Sequence, residues 1–213
     1  MDKFGRIFGA IALAGSFFAL AACTPAQDVQ VEQHHRTNGG MLFKRPIMVS
    51  LPDGAGKGVL AHRDYRNSVI RAFNARGIKV QDRSTDPKDP VIVSFGYRIS
   101  DGQKVIEERS IPEYETFIRR VVRNGEDVLI RERRFVGYRK ETYTRTVFTA
   151  ELQMIMRDTA KDEAPVIFEA NAVTAGSCGA MGPLIEPLAT AILTEFPGLT
   201  GKVRRIRVEV PQC

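Results

Sequence analysis

Cys23 is the residue whose surroundings most clearly prescribe a reaction. It closes the run Leu20-Ala21-Ala22-Cys23, behind a basic start with Lys3 and Arg6 and an apolar segment from Ile7 to Leu20. Small residues before a cysteine admit a signal peptidase that cleaves after Ala22, and the thiol of the new N-terminal residue is then the nucleophile for acylation. The apolar run is shorter than the ~20 residues a bilayer-spanning helix needs, and Gly9, Gly15 and Ser16 interrupt it. It reads as a leader to be removed rather than a retained anchor.

Other reactive types are sparse. The imidazoles are His34, His35 and His62. Neighbouring histidines in an extended segment point to opposite faces, and no His-x₃-His or Cys-x₂-Cys spacing exists, so no metal site is expected. Ser177-Cys178 before Gly179 lacks the Gly-x-Ser-x-Gly spacing of a nucleophile elbow. The acidic groups Glu107-Glu108 and Asp158, Asp162 and Glu163 fall in polar stretches, where solvated charge is the ordinary reading. Gly176, Gly179 and Gly182 precede a helix, yet match neither the dinucleotide nor the P-loop fingerprint. No catalytic residue, enzyme activity or cofactor is expected. An arginine-rich stretch remains, in which Arg119, Arg120, Arg123, Arg131, Arg133 and Arg134 could contact an anionic ligand.

The cleavage motif resembles the bacterial lipobox, which implies a diacylglyceryl thioether on Cys23 and an amide-linked third chain. At about 0.8 kcal/mol per buried CH₂, one chain binds a membrane marginally, whereas two or three hold it essentially permanently. Thr24 after the cysteine resembles the signal for the outer membrane, so a lipid-anchored chain on its periplasmic face is expected. Lysine and arginine number 31 against 25 acids, a net charge of +6. Exported proteins rarely meet nucleic acid, and acids interleave with bases from Arg98 to Arg145, so a mixed-charge surface is the reading and no nucleic-acid partner is expected. Attraction to anionic lipid or glycolipid headgroups is the alternative. With Cys23 acylated, Cys178 and Cys213 remain in an oxidising compartment, and an even pair suggests one disulfide, worth roughly 3–4 kcal/mol by loop entropy.

Removing residues 1–22 leaves enough chain for one well-buried domain. Residues 23–40 read as a lipidated tether, with the alternation of Val29, Val31, Gln33 and His35 against polar neighbours adding a possible edge strand. Residues 41–213 form the domain, with a charged insertion around 100–143. Pro46 to Leu51 reads as a strand ending in the turn Pro52-Asp53-Gly54. Tyr65, Val69 and Phe73 mark a helix capped by Asp64 and stopped by Gly77. Ile78 to Gln81 and Val91 to Ile99 read as strands. The stretch Ser110 to Arg123 supports two readings: a helix, on the spacing of Ile111, Tyr114, Ile118 and Val121, or one arm of a hairpin turning at Asn124-Gly125. Val128 to Tyr138 reads as extended. Thr144 to Arg157 alternates as a long strand, pairing across Asp158–Pro165 with Val166 to Val173. Ile185, Leu188, Ala189, Ile192 and Phe196 mark a second helix, with Pro187 near its first turn or bending it. Val203 to Val210 closes the domain as a sheet edge.

These elements predict an α+β fold: a mostly antiparallel sheet with two helices packed on one face, preceded by a lipoprotein signal peptide. Their order resembles the bacterial lipoproteins of Domain of Unknown Function 4136, in the helix Tyr65 to Gly77 running into Ile78, the strand Val91 to Ile99, and the tail from Gly176-Ser177-Cys178-Gly179 through Phe196-Pro197-Gly198 to Arg205-Ile206-Arg207-Val208. That resemblance implies an envelope lipoprotein without a known reaction. The expected role is a non-catalytic interaction or structural module, with the membrane and an envelope protein as partners; the residues leave the oligomeric state undetermined. Replacing Cys23 with alanine should abolish incorporation of labelled palmitate and leave either a precursor or a released domain. Equal labelling of the variant would remove the assignment of Cys23.

Overall fold

The computed structural model describes residues 26–36, 45–51, 59–81, 88–210 and 213. The leader, Cys23, Asn38-Gly39-Gly40, Pro52-Asp53-Gly54 and Ser84 to Pro87 lie outside the described residues. The elements run β1 (Ala26–His35), β2 (Ile47–Val49), α1 (Val59–Ala75), β3 (Val91–Ile99), β4 (Gln103–Arg123), β5 (Glu126–Asp158), β6 (Val166–Gly176), α2 (Gly182–Leu193) and β7 (Arg204–Glu209). They make an open mixed sheet, in the order β2-β3-β5-β6-β1-β7, with two helices. Only β2 and β3 are parallel; the other neighbours are antiparallel.

Period-two sequence produces the buried side of this sheet. Phe95 pairs with Met154, Met154 with Ala170 and Ala170 with Gln33, so one cross-strand row carries four inward side chains. These, with Val29, Val31, Leu152, Met156 and Phe168, share one core with Val69 and Phe73 of α1 and Leu188 and Ile192 of α2. Gln33 is fully buried, and its amide nitrogen donates to the Ile192 carbonyl at 2.8 Å, which ties the sheet to α2.

Four local readings change. The first strand is not an edge: β1 lies between β6 and β7, because both of its sides find partners. The first helix begins at Val59, so Asp64 sits inside it, where its carbonyl accepts from the Ser68 hydroxyl at 3.1 Å. Its end is as expected, with Gly77 at φ +74° and bonds from Ile78 N to Phe73 O and from Gly77 N to Asn74 O closing the left-handed cap. Ile78 to Gln81 contributes only a bridge from Val80 to Ile47. Pro187 lies inside α2 beyond its first turn, flanked by the buried Ile185 and Leu188.

The ambiguous insertion is a hairpin, not a helix. β4 runs unbroken from Gln103 to Arg123 and returns through Asn124-Gly125, both at positive φ, into the first two-thirds of β5. Asn-Gly in that conformation is the two-residue turn that matches strand twist. Because apolar residues at 114, 118 and 122 satisfy both a helical period and strand alternation, the turn decides the outcome.

Leu152→Ala should lower unfolding free energy by about 2–5 kcal/mol, since it empties a fully buried site. Leu129→Ala, on the hairpin, should change it by no more than about 0.5 kcal/mol. Denaturant titration of both variants checks the contrast, and comparable losses would mean that the hairpin belongs to the core.

Candidate functional site

A single strand serves two structures. From Phe148 to Arg157 β5 is paired with β6, and over Ala150 to Asp158 also with β3; from Glu126 to Val147 it pairs with β4 alone. The result is a two-stranded arm that, at about 3.3 Å per residue, extends roughly 70 Å from its root. Pro112 sits within β4, whose described neighbour is β5 only, the kind of position where a strand tolerates proline. Val136 is left without a cross-strand partner where the register shifts.

The register sorts the arm's side chains onto two faces. One face carries the even-numbered residues of β4 with Asp127, Leu129, Arg131, Arg133, Phe135 and Tyr138 of β5. Tyr114 and Phe135 rings meet edge-on at 5.9 Å and Phe135 meets Tyr138 at 5.0 Å, while the Arg133 guanidinium lies 5.2 Å from the Tyr114 ring. We call this the Tyr114 face. The opposite, Glu107 face carries the odd-numbered residues of β4, with Phe117 under Arg134 at 5.7 Å.

The faces differ in charge and exposure. On the Glu107 face six arginines meet six glutamates, and Arg109/Glu141, Glu115/Arg134 and Arg123/Glu126 stand directly opposite each other. Glu107 accepts from the Tyr143 hydroxyl and from Arg145, both at 2.5 Å, which holds its carboxyl below the usual range and raises the Tyr143 phenol. Arg134 likewise lowers Glu132. The Tyr114 face carries five cations, Lys104, Arg120, Arg131, Arg133 and Lys140, against Glu108 and Asp127. Lys140 reaches Glu108 at 3.3 Å and Arg120 reaches Asp127 at 3.6 Å; among the described residues Arg131 and Arg133 have no carboxylate partner. The large exposed apolar residues of the Tyr114 face, from Tyr114 at 49 % to Val122 at 72 %, are all more open than those of the Glu107 face, which reach 46 % at Ile130.

The six arginines singled out from sequence are therefore divided. Arg120, Arg131 and Arg133 lie on the Tyr114 face, and Arg119, Arg123 and Arg134 on the Glu107 face. What sequence reasoning missed is the apolar set beside the first three: Ile118, Val122, Leu129, Phe135 and Tyr138. Alternation on either side of Asn124-Gly125 was the available signal for Ile118, Val122, Leu129 and Phe135; Tyr138 joins them only through the register shift at Val136.

Each of the three histidines meets a neighbouring residue. His34 contacts Glu32 at 3.2 Å, His35 Nε2 lies 3.1 Å from the Gly198 carbonyl, and His62 stacks edge-on to Tyr97. Among the described residues no three His, Cys, Asp or Glu side chains are grouped to hold a metal. Cys178 and Cys213 lie at disulfide distance, with Cα atoms 5.3 Å apart. A Cβ on Gly179 would stand 2.9 Å from the Phe148 ring and one on Gly176 2.2 Å from the Gln27 amide, so these glycines permit close packing at the arm's root. A groove of about 720 Å³ lies along α1, α2 and β7. Two of its arginines are engaged, Arg71 on Glu186 at 2.8 Å and Arg76 on the Thr194 hydroxyl at 2.7 Å.

No family model and no curated protein matches the chain. Among solved structures it is similar to a PDZ domain protein from Parabacteroides distasonis, with a TM-score of 0.47 and 10 % identity over 86 % of this chain. The chain spans 39 % of that protein's length. It is also similar to PelC from Paraburkholderia phytofirmans, crystallised as a dodecamer, with a TM-score of 0.39, 11 % identity, 78 % of this chain and 95 % of that one covered.

Asp158, at the end of β5, accepts from Arg45 and from the Ala160 amide, and the guanidinium holds its carboxyl below the usual carboxylate range. A carboxyl lowered on folding stabilises the fold above its unfolded value, and that contribution disappears as pH falls through the folded one. Asp158→Asn should cost about 1–2 kcal/mol at neutral pH and progressively less in acid. Urea midpoints across that range test this; a deficit independent of pH would refute the ion pair's role.

Proposed function

We propose that the protein is a lipid-anchored envelope lipoprotein, tethered through Cys23 on the periplasmic face of the outer membrane, that acts as a non-catalytic interaction or structural module. In this reading both helices cover the buried side of the sheet, the leader ends at Ala22, and the order of elements reflects kinship with the lipoproteins of Domain of Unknown Function 4136. The arm is the working part. The observation that carries the reading is a ribbon of two strands, roughly 70 Å long, with apolar side chains open on both faces; an isolated hairpin is marginal in water and gains most from being covered.

The division of charge bears on the alternative, a binder of anionic envelope ligands. On the Glu107 face the arginines are matched by glutamates, which supports a structural surface there; on the Tyr114 face Arg131 and Arg133 have no carboxylate partner among the described residues, and any anionic contact belongs to that face.

Incorporating a photo-crosslinking residue at Leu129 or Phe135 in intact cells should give adducts with an envelope component, and the same residue at Lys202, exposed on the body, should give far fewer. Equal adduct yields from arm and body positions would overturn the reading.

A further inference from the structure

The Tyr114 face combines features that suit one surface. Its charge is five cations to two acids, its apolar side chains are the most open on the arm, and its tyrosines carry a polar tip on an apolar body. Cations, aliphatic groups and amphipathic rings interleaved along a whole face match the composition of protein surfaces that lie in a lipid headgroup layer. The opposite face, six cations to six acids, suits water.

Position within the fold adds an independent argument. Val29 of β1 pairs with Thr174 of β6, and Gly176 of β6 pairs with Phe148 of β5. The first residues of β1 therefore lie level with the root of the arm, two strand spacings or about 10 Å away across the sheet. Gln27 confirms the proximity, since its amide would touch a Cβ on Gly176. Two residues separate Cys23 from Ala26, a reach of at most about 11 Å. An acylated Cys23 would hold this end of the sheet against the bilayer, and the arm leaves the body from that same end.

We propose that the Tyr114 face docks along the headgroups of an anionic lipid membrane, with Arg131 and Arg133 on the lipid phosphates and Ile118, Val122, Leu129, Phe135 and Tyr138 inserted among them. The inference rests on the proposed tether and on the arm as the working part. A second copy is a poorer occupant, because two such faces would bring unpaired cations together. Charges along both faces exclude passage of the ribbon through hydrocarbon.

The chain contains no tryptophan, so Val122→Trp and Val128→Trp each provide a single reporter, on the Tyr114 and Glu107 faces respectively. The full lipidated chain, reconstituted in vesicles of phosphatidylcholine with phosphatidylglycerol, should show blue-shifted Val122→Trp emission that brominated acyl chains quench severalfold. Val128→Trp should stay water-exposed. Raising the salt, using phosphatidylcholine alone, or adding Arg131→Glu with Arg133→Glu should reduce the quenching. The proposal is overturned if Val122→Trp is not quenched in the anionic vesicles, either with emission as red as in water or with a blue shift that bromination leaves untouched, as under a second copy of the chain. Either result leaves the arm's role standing if Leu129 and Phe135 still give protein adducts in cells; equal yields at Lys202 remove that role itself.

Discussion

The continuity of β5 is the constraint on which the rest depends. Its last residues are locked into the sheet between β3 and β6, with Leu152, Met154 and Met156 fully buried, and the same strand continues outward as half of the arm. No turn, glycine linker or proline separates the two parts of the strand at Val147-Phe148. Ladder pairing on both sides at the root therefore fixes the arm's direction, while its far length has no such support. The close approach of Gly179 to Phe148 reinforces that root, since any side chain at 179 would displace the ring there.

Given that fixed direction, the register determines what each side of the arm presents. The shift at Val136 moves β5 by one residue relative to β4, so that odd-numbered residues beyond it share a face with even-numbered ones before it. Without that shift, Phe135 would leave Tyr114 and Tyr138, and Arg134 rather than Arg133 would join them. The aromatic cluster and the imbalance of charge on the Tyr114 face are both products of this single irregularity.

Much of the fold was legible in the residues. Val91 to Ile99 has the bounds expected from its β-branched and aromatic run, Gly77 stops α1, and the alternation of Thr144 to Arg157 is that of a strand, buried on one side from Ala150 onward. Where local pattern failed, the deciding partner was distant in sequence. β1 resembles an edge because its polar residues alternate; only β7, more than 170 residues later, makes it interior. In the insertion, residues at 114, 118 and 122 fit two periods, and no local propensity separates them. The arm's arginines were visible as a run, but their division onto two faces depends on a one-residue shift that no run of charge encodes.

The charge pattern distinguishes a surface meant for water from one meant for contact more sharply than apolar content does. Both faces of the arm carry exposed large side chains, so hydrophobicity alone would assign both to a partner. On the Glu107 face, however, Glu107 and Glu132 are already lowered by hydrogen bonds from Tyr143, Arg145 and Arg134, and removing this face from water would strand charges that now share solvent and neighbours. On the Tyr114 face Arg131 and Arg133 have no such partners among the described residues, so an incoming anion would add a partner without displacing one. The cost of covering the arm is thus lower on one side, the side opposite the ion-paired lattice of the Glu107 face.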